Sequence, residues 1–196
     1  MTHTREHMLG LTTRPGRYQR LTRHPFRGVH SRLVADIVAA QLPPRTRILD
    51  VGTGPGTVPI DLATAAPQLT IVGLDLSAPM IEHATAAARS AGCEDRVTFV
   101  ATDAGDMPFP DGSFDLVVSS MSQHHWSDVP AVVREIHRVL RPGGRAWIYD
   151  ARYALHRAEH AARQAFPAGA VRRVPVRTGR LPLRLFARLT IEQTPA

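Results

Sequence analysis

One nine-residue run, Ile48-Leu49-Asp50-Val51-Gly52-Thr53-Gly54-Pro55-Gly56, constrains the fold of this chain more than any other feature. An apolar stretch suited to a buried strand runs straight into three glycines at alternate positions, and helical periodicity starts at Thr57. Glycines there let the backbone turn tightly and approach a ligand closely, and the helix that follows begins with N–H groups that have no intrahelical partner. The spacing is G-x-G-x-G. A dinucleotide-binding G-x-G-x-x-G would need glycine where Thr57 stands, and the lysine of a phosphate-binding loop is missing. Asp50, two residues before Gly52, would repel a pyrophosphate and attract an ammonium group.

Strands and helices alternate around this run. Arg27–Gln41 carries apolar residues at helical spacing and ends at Pro43-Pro44. Arg47–Val51 reads as a strand, Thr57–Ala65 as a helix, Leu69–Leu74 as a strand, and Pro79–Ala91 as a helix with Ser77 as its N-cap. Val97–Ala101 and Phe114–Ser119 read as strands, Val129–Leu140 as a helix stopped by Pro142-Gly143-Gly144, and Arg145–Tyr149 as a strand. This alternation predicts an α/β fold, a parallel sheet covered by helices on both faces. After a helix at Leu155–Phe166, Ala170–Thr178 and Leu183–Gln193 follow with only Gly179 and Pro182 between them. They are expected to pair as an antiparallel hairpin on the sheet edge.

At 196 residues and 43% hydrophobic content, one domain with one core is expected. Its parts are an Arg-rich arm (1–26), a core (27–150), and a C-terminal helix and hairpin (151–196). No apolar run approaches the roughly 20 residues of a membrane span, and Met1-Thr2-His3-Thr4-Arg5 has no signal-like apolar stretch. A lone Cys93 offers neither an internal disulfide nor a cysteine-based zinc site. A soluble, cytoplasmic protein is the expectation. Every basic residue is Arg: nine stand against Glu6 and Asp36 in 1–47, nine against Glu159 and Glu192 in 151–196, and six against 13 acids between. The basic arms suit phosphate contacts or plain solvation; the acidic middle is where the chemistry-bearing residues lie.

Asp75 closes the second strand and Asp103 follows the third. Carboxylates at successive strand ends converge on one crevice in a parallel sheet, where such groups accept hydrogen bonds from ribose hydroxyls or a base amino group. With the blocks LDVGTGPG, VGLDLSAPMIEHA, ATDAGDMPFPDGSFDLVVSSMSQHHW and EIHRVLRPGGRAWIYD in order, the chain resembles the class I S-adenosylmethionine-dependent methyltransferases. The likeness is greatest to the group that includes ubiquinone- and menaquinone-biosynthesis-type enzymes, and it covers Ile48 to Asp150. The resemblance implies a Rossmann-like, seven-stranded sheet and S-adenosyl-L-methionine as cofactor. Asp50, Gly52, Thr53, Gly54 and Gly56 would hold its methionine part and Asp75 its ribose. Leu76 would pack on adenine, Asp103 and the Ala104 backbone would read the base edge, Met80 would belong to the cofactor-binding set, and Ser119 would line the crevice. Thr53 departs from the Cys that many relatives carry there, and the short tail leaves no room for an elaborate acceptor-binding cap.

Ser119-Ser120-Met121-Ser122-Gln123-His124-His125-Trp126 follows the fourth strand, nearest the transferable methyl. His124 or His125 is the candidate general base for a hydroxyl acceptor, since imidazole titrates near neutral pH. His124, His125 and Asp128 make a poor metal set, and no metal is expected. The fourth strand lacks the Asn/Asp-Pro-Pro-aromatic run of enzymes that methylate exocyclic or amide nitrogens. Tyr18, Arg20 and Arg23 are candidates for a lid, and Asp150 and Arg152 for the acceptor pocket. The expected activity is O-, C- or N-methylation of a small molecule. Two alternatives stand beside it: methylation of RNA held by the Arg-rich arms, and a non-catalytic cofactor-binding partner in an assembly.

Overall fold

The strands are buried on both faces, which settles how the sheet is covered. The computed structural model describes residues 27–178 and 185–195. Along each central strand, neighbouring side chains enter opposite cores: Ile48, Ile71, Leu116, Val118, Trp147 and Tyr149 on one side, Leu49, Val72, Val117, Ala146 and Ile148 on the other. Alternation with both faces apolar is what a sheet sandwiched between helices requires.

The elements are α1 (Arg27–Ala39), β1 (Arg47–Val51), α2 (Thr57–Ala65), β2 (Thr70–Asp75), α3 (Ala78–Ser90), β3 (Val97–Ala101), β4 (Phe114–Ser120), a 3-10 turn (Gln123–His125), α4 (Val129–Val139), β5 (Leu140–Ala151), α5 (Leu155–Ala165), β6 (Val171–Val176) and β7 (Phe186–Glu192). The seven strands lie in the order β3-β2-β1-β4-β5-β7-β6. Strands β3 to β5 pair in parallel, while β7 runs antiparallel to both β5 and β6. The order reverses between β1 and β4, so their C-terminal ends flank the crevice where such sheets bind ligands. Helices α4 and α5 cover one face; α1, α2 and part of α3 cover the other.

The sequence reading placed β1, α2 and β3 at these same bounds. It differs most at β5, a strand expected to start at Arg145 that starts at Leu140. The strand continues through Pro142-Gly143-Gly144, although the register with β4 jumps there, from Phe114 opposite Leu140 to Leu116 opposite Arg145. Leu140 pairs with Phe114 ahead of an irregularity, Gly143 turns at φ 74° and donates to the Thr194 carbonyl, and Gly144 accepts from Gln193. The glycines make a bulge held by the chain's last residues. The arm, with Tyr18, Arg20 and Arg23, lies outside the described residues, as do Gly179 and Pro182. No helix among the described residues is long and apolar enough to cross a membrane.

Candidate active site

The β1–α2 turn folds back on the end of β2. The N–H groups of Gly52 and Thr53 both donate to the Leu74 carbonyl, at 2.9 Å each. Asp75 then joins the two strand ends: Oδ2 accepts from Gly54 N–H at 2.8 Å, and Oδ1 accepts from Ser77 N–H, at the N-cap of α3, at 2.9 Å. Each carboxylate oxygen has a second lone pair, so both retain capacity for a ligand's hydroxyls. Asp50 is only 2% exposed, and Thr53 Oγ1 donates to its Oδ2 at 2.7 Å. Burial pushes its carboxyl up to about 7, against the Thr53 hydrogen bond and with the charge of Asp75 adding to the rise. No basic side chain of the described residues compensates it.

The three glycines serve different ends. A Cβ on Gly54 (φ 53°) would meet nothing within 4 Å, so this residue alone of the three turns toward open space. A Cβ on Gly52 would lie 2.4 Å from the Ser122 side chain, and one on Gly56 would lie 2.8 Å from Ala84 and Phe99. At those two the missing Cβ lets protein pack against protein.

Leu76 is 74% exposed beside Asp75, an apolar surface left uncovered at the strand end. Asp103 is exposed in the turn after β3, with Oδ1 accepting from Gly105 N–H at 2.8 Å, and Ala104 beside it packs against the core. Met80 and Ser119 depart from expectation. Met80 is buried on the inner face of α3 and Ser119 is fully enclosed, so neither offers a surface to the crevice. The Ser119 hydroxyl lies 2.7 Å from that of Ser122, which donates to the Val51 carbonyl at 2.8 Å. These serines fasten the segment after β4 to the end of β1.

That segment delivers the histidines. Met121 adopts φ 57°, an unusual conformation for a side chain of its size, and turns the chain out of β4 into the Gln123–His125 turn. His124 Nδ1 then lies 2.9 and 3.0 Å from the carboxylate oxygens of Asp150, which is fully buried at the end of β5. A carboxylate can only accept, so Nδ1 carries the proton and Nε2 of a neutral ring is left with its lone pair. Asp150 also accepts from the N–H groups of Ala151 and His124. It holds the imidazole and does not itself line a pocket, a correction to the sequence reading; Arg152 is exposed beyond it. His125 packs on His124 with ring centroids 4.0 Å apart, and among the described residues no hydrogen bond joins it to a carboxylate. Burial, followed by the neighbouring His124, lowers its pKa and keeps it neutral.

Asp128 caps α4 by accepting from Ala131 N–H, a structural task. Sequence reasoning missed Ser122, one serine among several in its run, and Tyr153, 78% exposed three residues past Asp150. Ser120 Oγ, Gln123 Oε1 and Trp126 Nε1, all in the histidine-bearing segment, are buried without a hydrogen-bond partner among the described residues.

Comparison with known proteins agrees with this arrangement. A family model described as a methyltransferase domain matches residues 48–144. The 27-O-demethylrifamycin SV methyltransferase of Amycolatopsis mediterranei is 41% identical over 119 residues, 60% of this chain and 43% of that protein. The demethylmenaquinone methyltransferase of Thermus thermophilus is 38% identical over 104 residues, 53% of this chain and 46% of that protein. The chain thus spans less than half the length of these curated relatives. A putative S-adenosyl-L-methionine-dependent methyltransferase from Methanococcus maripaludis superposes with a TM-score of 0.71 at 22% identity, over 93% of each chain, a likeness of fold.

Proposed function

We propose, from the premise that this chain belongs to the class I S-adenosylmethionine-dependent methyltransferases of the ubiquinone/menaquinone-biosynthesis-like group, that it methylates a hydroxyl of a small metabolite. The site fits the cofactor on its own terms. Asp50 is a buried carboxylate with no cation among the described residues to match it, which leaves a place for an α-ammonium. Asp75 keeps lone pairs for two ribose hydroxyls, Gly54 opens toward them, and exposed Leu76 offers a flat apolar face to a base. Asp50, Thr53, Gly54, Asp75, Leu76, Asp103 and Ala104 would hold it. The bound cofactor supplies a methyl group already activated on a sulfonium, so the protein's part is positioning and proton transfer.

The observation that carries the hydroxyl acceptor is the His124–Asp150 pair. With an acceptor bound, His124 Nε2 would take the hydroxyl proton that must leave when the oxygen receives a methyl from the sulfonium. Buried Asp150 fixes the tautomer and stabilises the imidazolium that results. The names of the rifamycin- and menaquinone-related enzymes support a small-molecule acceptor. Turnover of a panel of hydroxylated aromatic and polyketide acceptors tests the reading. His124→Ala should lower kcat by about 10²–10⁴, the usual worth of a general base, with His125→Ala within about tenfold of wild type. Asp150→Asn should follow His124→Ala, because a carboxamide NH₂ can drive the ring proton to Nε2. Equal losses for the two histidines, or none, would remove His124 as the base.

A further inference from the structure

The turn that carries Asp103 is anchored at both ends, and one of the anchors is an arginine outside the crevice. At the near end, Thr102 N–H donates to the Asp75 carbonyl at 3.0 Å. At the far end stands Arg138 of α4, whose five N–H donors are all engaged. Nε meets Glu135 Oε1 at 2.8 Å, Nη1 meets the Phe109 carbonyl at 2.7 Å and Asp111 Oδ1 at 2.8 Å, and Nη2 meets the Met107 carbonyl at 2.9 Å and Glu135 Oε2 at 2.7 Å. Glu135 Oε2 also accepts from Met107 N–H at 2.7 Å. Met107 is therefore held through its N–H by Glu135 and through its carbonyl by Arg138. Only residues 103–106 bridge the two anchors, with Asp103 tied inside the bridge to Gly105 and Asp106.

We propose that Arg138 is a positioning residue for base recognition: by fixing the 107–111 segment to α4, it sets where the Asp103 carboxylate stands. This rests on the reading that Asp103 receives the adenine amino group. A planar guanidinium with five directed donors suits the task, whereas lysine offers three donors on a point charge and cannot span two carbonyls and two carboxylates at once. Holding Met107 at both polar groups confines the short bridge, because few residues remain free to absorb movement between the anchors.

A merely structural arginine would affect stability and every ligand alike; a positioning one affects only the ligand whose base Asp103 reads. The test is calorimetric binding of S-adenosylhomocysteine and of S-inosylhomocysteine, in which a carbonyl replaces the amino group. Wild type should prefer the adenosyl ligand by tenfold or more, since a carboxylate accepts from an amino group and repels a carbonyl. Arg138→Met should bring the preference below about threefold by weakening the adenosyl ligand alone, and Arg138→Lys should behave like Arg138→Met. In an Asp103→Ala background, Arg138→Met should change neither affinity by more than about twofold, the signature of two residues acting through one contact. Glu135→Gln, a milder change to the same clamp, should lower the preference in the same direction and serves if Arg138→Met does not fold. An unchanged preference in Arg138→Met or Glu135→Gln, with only a lower Tm, overturns the proposal. A wild type that binds both ligands equally overturns the Asp103 reading and this proposal with it. A wild type that binds neither ligand overturns the cofactor reading as well.

Discussion

Asp50 is in tension with its own fold. Its carboxyl is raised to about 7 by burial, whereas in the unfolded chain it titrates near 3.8. Between those values the folded protein holds a proton that the unfolded chain releases, so the ligand-free fold loses stability as pH rises through that window. The loss is complete above about 7 and has a ceiling of roughly 4 kcal/mol. Asparagine mimics the protonated acid, so Asp50→Asn should melt higher than wild type at both pH 5 and pH 8, by a margin that is smaller at pH 5 and grows to its full size at pH 8. Differential scanning fluorimetry reads both values, and a lower Tm for Asp50→Asn at pH 8 would mean that the charge is compensated within the fold. Ligand binding has the opposite sign. A cationic α-amino group needs the carboxylate, so wild-type affinity for S-adenosylhomocysteine should rise with pH up to about 7.5, while Asp50→Asn binds weakly at every pH. The positions of Asp50, Asp75 and Asp103 at strand ends were legible because strand periodicity and acidic residues are both local signals. What each carboxylate faces was not. The family resemblance implies Met80 and Ser119 as site residues, yet the packing of α3 and the Ser119–Ser122 pair turn them inward.

The β1–α2 connection separates two jobs that the glycine spacing merges. Gly54 and Gly56 both hold positive φ, 53° and 79°, so alanine strains either one by about 1–2 kcal/mol. At Gly54 the added methyl enters open space. Gly54→Ala should therefore lose only that strain in urea denaturation, while its affinity for S-adenosylhomocysteine falls about tenfold or more through a clash on the ligand side. At Gly56 the methyl meets Ala84 and Phe99, at 2.8 Å, so Gly56→Ala should lose roughly 2–4 kcal/mol by adding overpacking to strain. Equal stability losses for the two variants would mean that the turn relaxes as a unit. The motif is visible in one sequence, but the assignment of each glycine depends on α3 and β3, which reach the turn only in three dimensions. The early start of β5 escaped for a similar reason. Pro142-Gly143-Gly144 signals a local stop, and its partners, Phe114 and Thr194, are distant in sequence.

Across the whole molecule, the charge count was the least informative part of the sequence, because it treats every arginine as surface. Arg173 pairs with Glu159 between β6 and α5. Arg188 lies over the Trp147 ring at 4.8 Å and donates to Asp36 Oδ2 at 3.1 Å and to the Tyr149 hydroxyl at 3.2 Å. Tyr149 is fully buried and donates to Asp36 Oδ2 at 2.7 Å; burial raises its phenol well above the ordinary 10, so it stays a donor. Asp36 thus joins α1, the first described helix, to β5 and to β7, the last strand, and Arg32 adds a fourth member from within α1. Tyr149→Phe removes two hydrogen bonds, one to Asp36 and one from Arg188, but leaves Asp36 with both arginines, so it should lose about 1–2 kcal/mol. Asp36→Ala leaves the buried phenol without its acceptor and the part-buried Arg188 without its carboxylate, so it should lose more, about 2–4 kcal/mol. The latch closes the chain across 152 residues, so both variants should shift one cooperative transition, with coincident midpoints by far-UV circular dichroism and by tryptophan fluorescence. If Asp36→Ala moves the fluorescence midpoint while the dichroism midpoint stays, α1 unfolds as a separate unit. The latch would then stabilise one helix, without coupling the first and last elements of the sheet.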